Sequence, residues 1–271
     1  MKLKELPLSV YFELKLKLLN TNKLKTKSQS DLPLIVSLTS IPSRLKKVNI
    51  TIRSILNQEG KPKKIILWLN EEDEKHIPKS LEKLVGDIFT IKYTPLYCSH
   101  KKLIHTLTAF PEDIIVTCDD DFIYDKNWLV KLYEDHLKNP KNIIAHHTRQ
   151  IQYDDQKKLL PYKQWNLINS KKTKAILAIG AGGILYPPKS LNPIVTDVEL
   201  FLKLAPKADD LWFKAMSLID GVQVFQSKNP PKRLIPLKGT QKISLKKENV
   251  DKDLNLKQWE QLTDYFNLEM E

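Results

Sequence analysis

The sequence predicts an α/β fold: a single domain on a mostly parallel central sheet with helices on both faces. Three observations carry that prediction. Between Leu32 and Cys118, short apolar runs alternate with longer segments whose apolar residues recur at helical spacing. The apolar runs are largely unbroken, as strands covered on both faces require. No internal repeat, low-complexity tract or linker asks for a second core.

The elements follow in order. Residues 1–30 hold seven Lys against two Glu, with Leu, Val, Tyr and Phe interleaved. The stretch Phe12–Leu18 alternates like a strand, but the wider segment leaves an apolar helical face, and a helix is the expectation. Such a basic amphipathic segment either rests on an anionic membrane or packs on its own domain or a partner subunit. From residue 31 the main domain is expected to run to 226. "LPLIVSLTS" predicts a buried strand, "RLKKVNITIRSILNQE" a helix, "KKIILWLN" a strand and "SLEKLVGD" a short helix. "IFTIKYT", "HKKLIHTLTAF" and "DIIVTC" predict strand, helix and strand. Then come "DKNWLVKLYEDHLKN", a helix with Asp125 as its natural N-cap, and "NIIAHHTRQI", one further strand. "ADDLWFKAMSLIDG" reads as a helix ending at Gly221, and "VQVFQ" as a late strand. Residues 227–271 read as a peripheral extension with an acidic helical tail.

Composition sets bounds. A chain of 271 residues with 41% hydrophobic content can bury a sizeable core. Cys98 and Cys118 form neither a metal-ligand spacing nor a disulfide framework, so free thiols in a reducing compartment are expected. No apolar run reaches the length of a membrane span and no secretory signal is evident, so the expected location is cytoplasmic. The formal net charge of +12 makes anionic partners plausible without choosing among them.

The most informative stretch is "IIVTCDDDFIYD", residues 114–125, where an apolar strand runs into three adjacent carboxylates. Three neighbouring anions repel one another unless a ligand or a cation relieves them. They stand at the C-terminal end of a central strand, where open α/β sheets bind ligands. If the chain stays extended, Asp119 and Asp121 project to one side and Asp120 to the other. Two carboxylates on one side suit magnesium or manganese, with ligand phosphates completing the shell. The alternatives are a solvated turn, or capping of the next helix, which Asp125 already serves.

"VTCDDDFIYDKNWL" resembles the DxD segment of nucleotide-sugar-dependent glycosyltransferases of the GT-A fold. The surrounding chain resembles bacterial family-2-like enzymes of surface polysaccharide (lipopolysaccharide or capsule) synthesis. The resemblance runs from about Leu34 to Phe225 through "IVSLTSIPSRL" with "TIRSILNQ", "SHKKLIHTL", "IGAGGILYPP" and "APKADDLWF". A lone DxD would be a weak signal; these segments in the expected order are a strong one.

What the resemblance implies is specific. The first strand-to-helix turn, Thr39, Ser40, Pro42 and Arg44, would hold the donor's nucleotide, though Arg44 could equally be an exposed helix residue and Ser40 a cap. Asp119 and Asp120 would lie against the donor, and Asp119 and Asp121 would hold a divalent metal (Mn or Mg) on its diphosphate. Lys102 and Arg149 would add positive charge there, while a solvated lysine pair is the commoner fate of Lys101 and Lys102. Asp210 would be the general base of an inverting transfer and Asp209 its neighbour at the acceptor, the alternative being helix capping. Gly182 and Gly183 would let backbone approach the acceptor, or serve a turn needing positive φ. Trp165 would stack on a sugar ring, or sit in the core. His146 and His147 match no ligand pattern. The implied partners are a nucleotide-sugar donor, uridine by resemblance, and a glycan or lipid-linked acceptor.

Two other classes stay open: a metal-dependent nucleotidyltransferase or phosphohydrolase using the same strand end, and a non-enzymatic polyanion binder motivated by charge. No nucleic-acid-binding module is visible, so nucleic acid is not an expected partner.

Overall fold

Leu34, Ile35, Val36 and Leu38 are consecutive or near-consecutive apolar residues, and all are 0% exposed, because their strand is covered on both sides. A computed structural model describes residues 5–27, 31–166, 174–231, 234–240, 249 and 252–269. Residues 1–4 and 28–30 of the amino-terminal segment lie outside the described residues, as do 232–233, 241–248, 250–251 and 270–271 of the expected carboxy-terminal extension.

The chain opens with helices α1 (Leu6–Leu18) and α2 (Thr21–Lys25). There follow β1 (Leu32–Thr39), α3 (Leu45–Leu56), β2 (Pro62–Asn70), α4 (Lys79–Glu82), β3 (Phe89–Thr94), α5 (Lys101–Ala109) and β4 (Ile114–Thr117). After the short β5 (Phe122–Ile123) come α6 (Trp128–Lys138), β6 (Ile143–Ala145), β7 (Thr148–Gln150), β8 (Ile176–Ala178) and β9 (Ile184–Tyr186). The remainder is α7 (Val198–Leu204), α8 (Asp209–Ile219), β10 (Val224–Gln226), β11 (Ile235–Pro236) and α9 (Leu254–Phe266).

Seven strands form the central sheet in the order β10-β6-β9-β4-β1-β2-β3. Strand β9 runs antiparallel to both β4 and β6, and the remaining pairs are parallel. The expected mostly parallel α/β architecture is therefore the observed one. Alternation along each strand divides the core between its two faces: Val116 packs with Val48, Ile52 and Ile55 of α3, whereas Ile115 packs with Leu103 and Ile104 of α5 and Leu211 of α8. The spacing 48, 52, 55 is one helical stripe, and burying each such side chain stabilises by about 1.5–3 kcal/mol.

Three expectations need revision. "NIIAHHTRQI" is two strands, because after Ala145 the His146 ring turns inward to the Trp128 carbonyl (3.0 Å) and the chain leaves the sheet; β7 then pairs with β8 instead. Asp125 does not cap α6 with its side chain; its carbonyl accepts from the Trp128 amide (3.1 Å), and the cap position falls on Asn127. The carboxy-terminal residues are less peripheral than expected: Trp259 and Leu262 of α9 are 0% exposed, and β11 pairs with β5 beside the acidic run.

Candidate active site

Parallel pairing of β1 with β4 sets Ser37 opposite Thr117, so the loops that leave both strands emerge at the same sheet edge. Ser40 and Asp120, three residues further along each chain, consequently meet, the Ser40 hydroxyl donating to Asp120 Oδ2. The chain does not stay extended through the acidic run, as the alternation argument required; it turns at Asp120 and Asp121. Arg44, at the end of the 3-10 turn begun by Pro42, bridges both: Nη1 lies 2.6 Å from Asp120 Oδ1 and Nη2 3.2 Å from Asp121 Oδ2. Burial works against the guanidinium, but Asp120 and Asp121 outweigh it and raise the Arg44 pKa above its ordinary value.

The turn is braced from behind. Thr51 of α3 donates to the carbonyls of Asp120 and Phe122 (both 2.8 Å), and the Leu237 amide donates to the Asp121 carbonyl (2.8 Å). Tyr124 Oη accepts from the Asp119 amide (3.0 Å) and lies 3.2 Å from the carbonyls of Asp119 and Ala181. Only Asp119 keeps an open carboxylate, its side chain 36% exposed, with Lys102 Nζ 3.3 Å away.

Lys102 is the second hub. Its side chain is 5% exposed and its ammonium lies 2.8 Å from Asp209 Oδ2. Burial disfavours the ammonium, yet Asp209, Asp119 and Asp210 together hold its pKa well above the ordinary lysine value. Beyond Asp209, the His100 ring stacks on Phe201 at 4.3 Å; burial, with Lys102 adding to it, pushes its pKa down to about 4 and keeps it neutral. Asp209 and Asp210 begin α8 without making a side-chain cap, so the capping alternative is not the observed arrangement. Asp210 Oδ2 accepts from the Gly180 amide (2.9 Å), while Oδ1 is buried without a hydrogen-bond partner. Burial, then repulsion from Asp209, pushes the Asp210 pKa up to about 7.

These groups surround one small space. A Cβ placed on Gly180 would lie 3.0 Å from Asp210 Oδ1, 3.0 Å from Lys102 Nζ and 3.6 Å from Asp119 Oδ1. Glycine is required further on for a different reason: Gly183 has φ +101°, and a Cβ there would sit 2.5 Å from the Trp128 ring. A Cβ on Gly182 would meet His147 at 2.9 Å. The two glycines thus answer to packing and turn geometry.

The predicted residues divide accordingly. Ser40, Arg44, Lys102, Asp119, Asp120, Asp121, Asp209 and Asp210 are tied together by the contacts above. Thr39 is committed to the Trp68 carbonyl (2.8 Å). Trp165, expected on a sugar, is instead a core residue at 1% exposure, its indole donating to the Leu160 carbonyl. Arg149, expected at the diphosphate, donates to the Trp165 carbonyl (2.8 Å) and lies over the Tyr162 ring at 4.9 Å. Lys101 reaches the Leu96 carbonyl. Nothing in the local sequence marks Tyr124 or His100 as site residues; both stand within segments that carry the family resemblance, but their partners come from other parts of the chain.

Among the described residues, no group of three or more His, Cys, Asp or Glu forms a metal cage. Magnesium needs none when one or two carboxylates and ligand phosphates share the shell. The hard oxygens of the acidic turn fit such an ion, with Asp119 the accessible ligand and Asp121 meeting Arg44 through Oδ2. No helix among the described residues is long and apolar enough to cross a membrane.

A family model described as glycosyl transferase family 2 matches residues 43–186, from the turn carrying Arg44 to the end of β9. No curated protein sequence matches the chain. Among solved structures it is similar to 4-diphosphocytidyl-2C-methyl-D-erythritol synthase from Anaerococcus prevotii DSM 20548, with 17% identity and a TM-score of 0.46, over 75% of this chain and 92% of that one. A likeness that distant carries no functional argument.

Proposed function

This chain belongs to glycosyl transferase family 2, and from that premise we propose that it moves a hexose from a nucleotide-sugar donor, with uridine as its nucleoside, to an acceptor hydroxyl. The acceptor is a cell-surface glycan or lipid-linked intermediate of lipopolysaccharide or capsule synthesis, met at the cytoplasmic face of the membrane. The observation that carries the proposal is the convergence at Gly180 of an accessible carboxylate, Asp119, and a second carboxylate, Asp210, whose Oδ1 has no hydrogen-bond partner.

In this reading the nucleotide lies against Thr39, Ser40, Pro42 and the acidic turn. A divalent ion held by Asp119 and Asp121 would supply Lewis-acid stabilisation of the charge that grows on the leaving diphosphate. Asp210 Oδ1 accepts the proton of the acceptor hydroxyl as that oxygen bonds the anomeric carbon and the carbon–phosphate-oxygen bond breaks. One displacement on the far side from the leaving group inverts the anomeric centre. Lys102 orients both acids: its contact with Asp209 fixes the start of α8 and hence the carboxylate of Asp210.

The test is a panel of nucleotide sugars with and without manganese, scored for nucleoside diphosphate release in the presence of glycan acceptors. Release from one donor, abolished by Asp210→Asn, is the expected result. Pyrophosphate as the product instead would make the protein a nucleotidyltransferase. No turnover of any donor, together with salt-sensitive binding of RNA or DNA, would leave the polyanion-binding reading in its place.

A further inference from the structure

Helix α1 has two apolar faces. Its inner face is fixed to the domain: Leu16 packs with Ile50, Ile123, Ile235 and Leu237, Ser9 donates to the Pro236 carbonyl (2.8 Å), and Arg53 of α3 donates to the Leu16 and Leu19 carbonyls. Its outer face carries Leu8, Tyr11, Leu14 and Leu18, which are 36%, 57%, 55% and 85% exposed. At 100° per residue these four fall within an arc of about 120°, a continuous stripe on the side away from Leu16. Single exposed apolar residues are ordinary, but a stripe of four along one helix marks a contact surface.

Charge selects the occupant. Lys15 lies within the arc near the helix's carboxy-terminal end, Lys17 borders it beyond Leu14, and Lys23 and Lys27 follow on the exposed side of α2 and its exit. Glu13, the helix's one acid, is turned inward, where Oε1 accepts from the Lys238 amide (3.0 Å). Beside the stripe, and lined by none of its four residues, lies a groove of about 160 Å³ whose lining includes Phe12, Leu19 and Ile235 together with Lys15, Lys126 and Asp125. An apolar stripe with lysines in and beside it, and no outward carboxylate on the helix, matches an anionic lipid surface, where apolar side chains enter the acyl boundary and ammonium groups meet phosphates.

We propose that the outer face of α1 docks this protein on anionic membrane, with Leu8, Tyr11, Leu14 and Leu18 inserted and Lys15 and Lys17 at the headgroups. This deepens the glycosyltransferase reading, since a lipid-linked acceptor is held at such a surface, and β5 and β11 connect α1 directly to the turn bearing Asp121.

The experiment uses the full chain and no sugar donor, so its outcome is independent of the transferase assay. Sedimentation is compared with vesicles of phosphatidylglycerol and phosphatidylcholine and with pure phosphatidylcholine, at low and high salt. Wild type is expected to pellet with the anionic vesicles and to be released by salt. Leu14→Glu with Leu18→Glu, and separately Lys15→Glu with Lys17→Glu, should each cut the bound fraction at least tenfold at an unchanged melting temperature, because all four residues are exposed. The proposal fails if wild type stays in the supernatant, if it binds neutral vesicles equally, or if both double variants bind undiminished. It fails equally if wild type is a dimer that the Leu14 and Leu18 changes dissociate, since a second copy would then cover the stripe.

Discussion

The acidic turn after β4 and the acidic pair that opens α8 pose the same electrostatic problem and solve it differently. In the turn, Asp120 and Asp121 share Arg44 while Asp119 is left partly open. In the pair, one buried ammonium serves Asp209 directly at 2.8 Å, and Asp210 is left with a backbone amide on one oxygen and nothing on the other. The difference teaches what each cluster is built to do. A neutralised, braced turn holds its shape, whereas an under-compensated buried carboxylate is primed to take a proton.

The strongest way to break this comparison is Asp210→Asn. The amide keeps the shape and loses the basicity, so transfer should fall by about 10²–10⁴-fold in kcat while the fold is retained, as read by nucleoside diphosphate release and a thermal melt. An undiminished rate would return Asp210 to a structural role. Next in size is Lys102→Met, which strands buried carboxylates and should cost about 3–5 kcal/mol in urea denaturation. Adding Asp209→Asn should recover part of that loss, because the orphaned charge goes with it.

Gly183→Ala tests the segment lying between the two clusters. Positive φ and the Trp128 ring oppose the new methyl, so a loss of about 3 kcal/mol is expected. Gly221, which ends α8 at φ +66° with nothing within 4 Å, supplies the contrast: Gly221→Ala should cost only about 1 kcal/mol. The smallest effect is the pH profile. A carboxyl that must be ionised to accept a proton, with its pKa at about 7, makes kcat/KM fall about tenfold per unit as pH drops below that value. Asp209→Asn removes the repelling neighbour and should move this acid limb to lower pH; a limb that stays put would mean that another group sets it.

Much of the fold was legible because parallel strands announce themselves. Runs such as "LPLIVSLTS" and "KKIILWLN" are short, apolar on both faces and rich in β-branched residues, as strands covered on both sides require. The helices α3, α5 and α8 followed from their stripes. Legibility failed where long-range partners decide. Whether Trp165 faces a sugar or the core depends on the Leu160 carbonyl and on packing that no local period records. Arg44 reads equally well as an exposed helix residue until its partner Asp120, 76 residues away, is placed beside it. The split in "NIIAHHTRQI" arises from the Trp128 carbonyl, again supplied by a distant element. The candidate site could be assembled from the segments that carry the family resemblance, but which cation serves which carboxylate is a property of the folded chain.

One oxygen has a further consequence. Tyr124 Oη touches the backbone of Asp119 on one side and the Ala181 carbonyl of the glycine segment on the other. A shift of either segment would lengthen a hydrogen bond to the other, so the acidic turn and the glycine segment are tied mechanically through one phenol. Tyr124→Phe would remove that tie and leave the Asp119 amide without its acceptor.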